Sequence, residues 1–287
     1  MRTIMFVFGG RKPNIELALP FYKRILDENP DVEIHVWDLA RDVHDSRYMR
    51  TLTGIDRFTV RTEFYQGNGR AMSGQNRVWN HYTNPEYQDC VFVKADDDVV
   101  FYDTDRFKAF RDSITADDVT SALTINNGAS TRHIPPIWEL YEQLNIPLLD
   151  VHLSADYAEL SHRWFFDNWQ TLTAGGNPVR TEEWVSINCI GYTHNTGKRI
   201  AGLLGTRPPR EIAGRFFTPR NRVGDEGAVN MLPRLIHTGF TVAHLNFGPQ
   251  TRSMDDALYA DLRKQYADIG KRYLSHDCEQ IRALTTG

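Results

Sequence analysis

Cys90-Val91-Phe92-Val93-Lys94-Ala95-Asp96-Asp97-Asp98-Val99-Val100-Phe101 sets three consecutive carboxylates between two apolar runs. The first run reads as a buried strand. Acids at the end of such a strand repel one another and resist desolvation. A divalent cation removes the conflict, because hard oxygen ligands suit Mg²⁺ or Mn²⁺, which keep positions open for substrate phosphates. In an extended backbone Asp96 and Asp98 project to one side and Asp97 to the other. The expectation is that Asp96 and Asp98 address one metal and a phosphorylated donor, while Asp97 contacts another part of it.

Upstream of the triplet, strand patterns alternate with helical ones, which predicts an α/β fold with a mostly parallel sheet flanked by helices. Thr3 to Phe8, Val32 to Trp37 and Phe58 to Phe64 read as strands. A helix from about Asn14 carries Ile15, Ala18, Leu19, Tyr22 and Ile25 on one face, and Ser73 to Tyr82 reads as another. Downstream, Val119 to Ile125, Trp184 to Tyr192 and Thr241 to Leu245 read as strands. Asp225 to Leu235 reads as a helix, with His237 in the same helical pattern just beyond it, and residues 205–222 as a mobile loop with five arginines. From Ser253 an apolar stripe at Leu258, Leu262, Tyr266, Ile269 and Tyr273 predicts a helix docked on the core. This divides the chain into one catalytic domain over 1–252, with a donor half (1–125) and an acceptor half (126–252), and a helical extension over 253–287.

Other residues can complete a site. His244, at a strand end before a Gly-Pro turn, can reach a cleft and bind a metal through neutral imidazole. Asp225 and Glu226 stand at a helix start, where one acid would suffice as a cap; the pair suits an acceptor site in which one takes a hydroxyl proton. Gly9-Gly10-Arg11-Lys12, between strand and helix, allows close backbone approach to an anion. Asp38, past the second strand, is a candidate partner for a ribose or base. The loop arginines could steady a departing diphosphate, and Trp164, Trp169 and Trp184 could stack on a sugar ring.

Bulk properties narrow the class. The chain has 287 residues, a net charge of −4 and 41% hydrophobic residues, enough for a sizeable core. It lacks the basic face that nucleic-acid or membrane-surface binding needs, and no apolar run reaches the ~20 residues of a membrane span. Three scattered cysteines (Cys90, Cys189 and Cys278) and the absence of a leader pattern favour a cytoplasmic setting.

The order of features, with Asp38 after strand-helix-strand, then Gly69-Arg70…Asn76, then Val91-Phe92-Val93-Lys94-Ala95-Asp96-Asp97-Asp98, resembles the donor half of GT-A glycosyltransferases of the family-2-like, DxD-containing kind. The resemblance implies a Mn²⁺- or Mg²⁺-dependent transfer of a sugar from a nucleoside-diphosphate donor, a UDP-sugar first and a GDP-sugar next. The acceptor hydroxyl would belong to a glycan, a small molecule or a protein. It implies Asp98 as principal metal ligand, Asp96 on ribose or metal and His244 completing the shell. Gly9, Arg11, Asp38, Arg70 and Asp97 would lie along the donor, and Asp225 or Glu226 would serve as catalytic acid or base. Two other readings share the acidic triplet: a sugar-phosphate nucleotidyltransferase, and a carbohydrate-recognition module that uses the acids for metal binding.

Overall fold

The computed structural model describes residues 2–67, 71–173 and 176–275. Arg70, with its neighbours Asn68 and Gly69, and Cys278 lie outside the described residues.

The strands in chain order are β1 (Thr3–Gly9), β2 (Val32–Asp38), β3 (Phe58–Arg61), β4 (Val91–Asp96), β5 (Val99–Tyr102) and β6 (Val119–Ile125). They continue with β7 (Pro178–Thr181), β8 (Cys189–Thr193), β9 (Glu211–Ile212), β10 (Arg215–Phe216) and β11 (Arg234–His244). The helices are α1 (Lys12–Glu28), α2 (Val43–Arg50), α3 (Ala71–His81), α4 (Thr104–Asp112), α5 (Gly128–Thr131) and α6 (Pro135–Glu142). After them come α7 (Ala155–Asn168), α8 (His194–Leu203), α9 (Asp225–Asn230), α10 (Gly248–Ser253) and α11 (Asp256–Ser275).

Among the described residues nine strands form one mixed sheet in the order β3-β2-β1-β4-β8-β6-β11-β5, with β7 also on β11. Strands β3, β2, β1 and β4 are mutually parallel, as are β6 and β11. Antiparallel β8 is wedged between the two groups, and β5 runs antiparallel on β11. The fold is thus α/β, a mixed sheet between helical layers.

β1 shows why both faces are covered. Met5 and Val7 join the core beneath α1, α4, α7 and α11, while Ile4, Phe6 and Phe8 join a second core beneath α3, α8 and α9. Period-2 alternation with apolar residues on both sides produces a strand buried throughout. α11 seats Leu262, Tyr266, Ile269 and Tyr273 in the first core.

Four local readings change. The helix at Asp225 ends at Asn230, because Pro233 follows and cannot continue it. Residues from Arg234 onward form the long strand β11, so His237 is a buried strand residue beside Phe110, ring centroids 5.8 Å apart. The strand expected from Trp184 begins only at Cys189. The strand expected to Phe64 ends at Arg61. The arginine-rich stretch holds the β9–β10 hairpin, turned by Ala213 and Gly214 at φ 46° and 81°.

The directions fix one functional edge. The carboxyl ends of β1, β2, β4, β6 and β11 meet there, with Phe8 opposite Asp96, Gly9 opposite Asp38, and Ala243 opposite Ile125. In open α/β sheets ligands bind outside these carboxyl ends.

Candidate active site

A cleft of about 540 Å³ opens at this edge, within the ~300–1,000 Å³ range of small-molecule sites. It is lined by Asp96, Asp97, Asp98 and His244, by Gly9 to Arg11, Leu39, Arg41, Asp42, Asp45 and Gln75, and by Ser186, Ile187, Asn188 and Glu226.

The triplet does not keep strand geometry. β4 ends at Asp96, and Asp97-Asp98 make the turn into β5. The expected alternation is therefore replaced: Asp97 and Asp98 share a partner, and Asp96 has its own. Arg11 donates through one terminal nitrogen to Asp97 Oδ1 at 2.5 Å and Asp98 Oδ2 at 2.6 Å, and through Nε to Asp97 Oδ2 at 3.2 Å. The backbone N–H of Gly10 donates to Asp97 Oδ2 at 2.9 Å. Lys94, only 1% exposed, donates through Nζ to Asp96 Oδ1 at 2.5 Å and to the carbonyl of Ile187 at 2.7 Å.

These contacts set the charge states. Burial pushes Asp96 up to about 6, with Lys94 opposing and Asp98 adding to the rise. Burial also raises Asp97, in spite of Arg11. At Asp98 burial acts in the same direction, but His244 and Arg11 outweigh it and hold the carboxyl well below the usual range. Like charges in one site are thus separated by environment, as carboxylates assigned different tasks are.

His244 Nε2 lies 3.2 Å from Asp98 Oδ1. Asp98 Oδ1 and His244 Nδ1 are buried without a hydrogen-bond partner among the described residues. An orphaned carboxylate oxygen beside an imidazole suits a hard divalent cation that takes one or two protein ligands and the rest from phosphate and water. Asp96 is less free to join, since Oδ1 is held by Lys94. No group of three or more His, Cys, Asp or Glu among the described residues is arranged to hold a metal unaided. The pair Asp98 and His244 therefore fits a shared metal, completed by substrate.

His244 is set by a buried polar network. Asn126, in the left-handed region at φ 62°, donates through Nδ2 to Gln250 Oε1 at 2.9 Å and to the carbonyl of His244 at 3.3 Å. Gln250 returns a bond to Asn126 Oδ1 at 3.0 Å and accepts from the N–H of Phe247 at 2.9 Å. Beneath it, His162 reaches the carbonyl of Leu245 at 2.8 Å and Tyr266 Oη at 2.6 Å. The N–H of Leu245 donates to the carbonyl of Asp98 at 2.7 Å, which couples this loop to the triplet.

The two acids of α9 differ. Gly224 is the N-cap, so Asp225 is the first helical residue rather than the cap. Both Asp225 oxygens are engaged, by the N–H of Glu226 at 2.9 Å and by Trp79 Nε1 at 3.2 Å. Asp225 is not part of the cleft lining, whereas Glu226 is, with Trp184 Nε1 donating to its Oε1 at 2.9 Å.

Asp38 does not reach the cleft. It is fully buried at the end of β2, where Ser46 Oγ donates to it at 2.6 Å and Arg50 Nε at 3.3 Å. It pins α2 to the sheet, and Asp42, Asp45 and Gln75 line the cleft instead. Gly9 is a packing position: an added Cβ would stand 2.7 Å from Met49 Sδ and 2.8 Å from Val36 Cγ1. Among the described residues the loop arginines do not line the cleft; Arg215 instead lies over Trp184, 4.2 Å from its ring centre. Trp169 is core, and Trp164 packs against the core from a half-buried position.

Residue reading overlooked Lys94, although its spacing of two from Asp96 on a strand puts both on one side. It also overlooked Trp79 and Trp184 as N–H donors to the paired acids; only tertiary contact reveals those.

No family model matches the chain, and no curated protein matches it. Among solved structures it is similar to the crystal structure of S. aureus TarS 1–349. The identity is 11% and the TM-score 0.44, over 93% of this chain and 70% of that one.

Proposed function

We propose that this protein is a glycosyltransferase that moves a sugar from a nucleoside-diphosphate donor to an acceptor hydroxyl, with Mn²⁺ or Mg²⁺. One observation carries the reading: Asp98, beside His244, and Glu226 line a single cleft at the carboxyl edge of the sheet. On this reading the cleft holds both a place for a diphosphate and a candidate base. The resemblance of Val91 to Asp98 to the GT-A motif supports the same assignment.

The lining also argues for a cation. It carries six carboxylates (Asp42, Asp45, Asp96, Asp97, Asp98 and Glu226) against two guanidiniums, Arg11 and Arg41. A diphosphate entering alone would be repelled. Bound at Asp98 and His244, a divalent cation would neutralise charge on the departing diphosphate. Arg11, more than a third exposed in its side chain, is placed to donate to a phosphate oxygen. Glu226 accepts the acceptor's proton as the acceptor oxygen bonds to the anomeric carbon. The bond from that carbon to the phosphate oxygen breaks, and its electron pair leaves with the nucleoside diphosphate. The transition state is oxocarbenium-like, as in glycoside hydrolysis. Asp225, with both oxygens engaged, braces the start of α9.

The test is incubation with UDP-, GDP- and dTDP-sugars with and without Mn²⁺. Release of nucleoside diphosphate is expected from one donor, lost in EDTA, in Asp98→Asn and in Glu226→Gln. Release of pyrophosphate from a sugar phosphate and a nucleoside triphosphate would instead establish the nucleotidyltransferase. Turnover by Asp98→Asn in EDTA at the wild-type rate would remove the metal from the reading.

A further inference from the structure

We infer that Trp184 is a positioning residue for Glu226, and that Arg215 on the β9–β10 hairpin acts through it. The inference rests on Glu226 being the base. Trp184 is buried, yet its Nε1–H donates to Glu226 Oε1 at 2.9 Å, leaving Oε2 for an acceptor hydroxyl. A carboxylate on a short side chain rotates unless one oxygen is tied, and a base must lie within hydrogen-bond reach of the proton it takes.

Both ends of the bond are held. Immediately after Trp184, the N–H of Val185 donates to Asn230 Oδ1 at 2.8 Å, and Asn230 Nδ2 returns bonds to the carbonyls of Val185 and Glu226, each at 2.8 Å. Asn230 thus clamps the segment carrying the indole to the helix carrying the acid. On the ring face, Arg215 stands 4.2 Å from the Trp184 centroid and Phe217 lies alongside at 6.2 Å. A cation over the indole favours that rotamer and polarises the N–H toward the carboxylate. The arginine-rich hairpin therefore serves the base, not the leaving diphosphate.

The experiment compares Trp184→Phe, Trp184→His, Glu226→Gln and the double variant W184F/E226Q. The donor is UDP-glucose, or whichever member of the UDP-, GDP- and dTDP-sugar panel turns over. W184F keeps the ring but not the donor: kcat should fall about tenfold with donor KM within about twofold. Trp184→His, which offers a ring N–H, should recover part of the rate. In the E226Q background W184F should add nothing, because its effect passes through Glu226.

Wild-type kcat in W184F, alongside an inactive E226Q, overturns the inference and leaves the base assignment standing. An active E226Q overturns the base assignment instead. Should W184F fail to fold, Arg215→Met keeps the indole and tests the same relay. A kcat lowered about threefold at constant donor KM supports it, and an unchanged kcat overturns it.

Discussion

At the scale of the residue, the acidic triplet is a problem in countercharge. Sequence reading assigned its compensation to a cation, yet Lys94 and Arg11 already provide much of it, leaving Asp98 Oδ1 facing the His244 imidazole at 3.2 Å. That oxygen with the imidazole beside it, not the count of aspartates, marks the candidate metal position. The Lys94 ammonium is buried and serves two acceptors, so Lys94→Met strands a half-buried carboxylate and the carbonyl of Ile187. Breaking such a pair from one side costs about 3–5 kcal/mol. A drop in melting temperature of about 10 °C should follow; an unchanged transition would show that the pair contributes nothing. The motif Asp96 to Asp98 was legible because three adjacent acids after an apolar run are rare. Asp38 misled because a strand-end acid looks alike whether it faces solvent, a ligand or Ser46.

At the scale of the element, the long strand β11 and the loop after it deliver His244, and helices α7 and α11 hold that loop from below. His162 on α7 is the joint, fully buried, with Nε2 on the carbonyl of Leu245 and Nδ1 on Tyr266 of α11. Burial lowers its pKa to about 3, from an ordinary value near 6.5. The unfolded chain therefore binds the proton that the folded chain refuses. The corresponding stability is fully present above about pH 6.5 and is lost as pH falls toward 3, at up to about 1.4 kcal/mol per pH unit. Melting curves between pH 4 and 7 should show a steeper acid loss for wild type than for His162→Gln, with the variant less stable at pH 7. Parallel curves would mean that His162 does not titrate in this window. Element type was mostly legible from period, but the boundary was missed because Pro233, which cannot continue the helix, was read as part of its pattern.

At the scale of the whole molecule, the mixed sheet gathers side chains from distant parts of the chain: Arg11, Asp98, Glu226 and His244 line one cleft. Given the excess of carboxylates there, the proposed function requires a cation for the binding of a diphosphate. UDP alone should leave the melting temperature within about 1 °C of the apo value, and UDP with Mn²⁺ at about a hundredfold excess over Kd should add about 2.7 kcal/mol, several degrees. Equal shifts with and without Mn²⁺ would show that Arg11 and Arg41 suffice.

What the amino-acid order settled was the alternation of strand and helix, the burial of β1 and β4 on both faces, and the acidic triplet at a strand end. Those features are written in local period and in charge, and neighbours in sequence carry them. Tertiary structure alone decided that β8 lies antiparallel between two parallel groups, that Arg11 meets Asp97, that Asp38 turns inward, and that Glu226 rather than Asp225 lines the cleft. Each of those outcomes depends on which distant atom comes within about 3 Å, and contact at that range is set by how the layers pack rather than by any pattern along the chain.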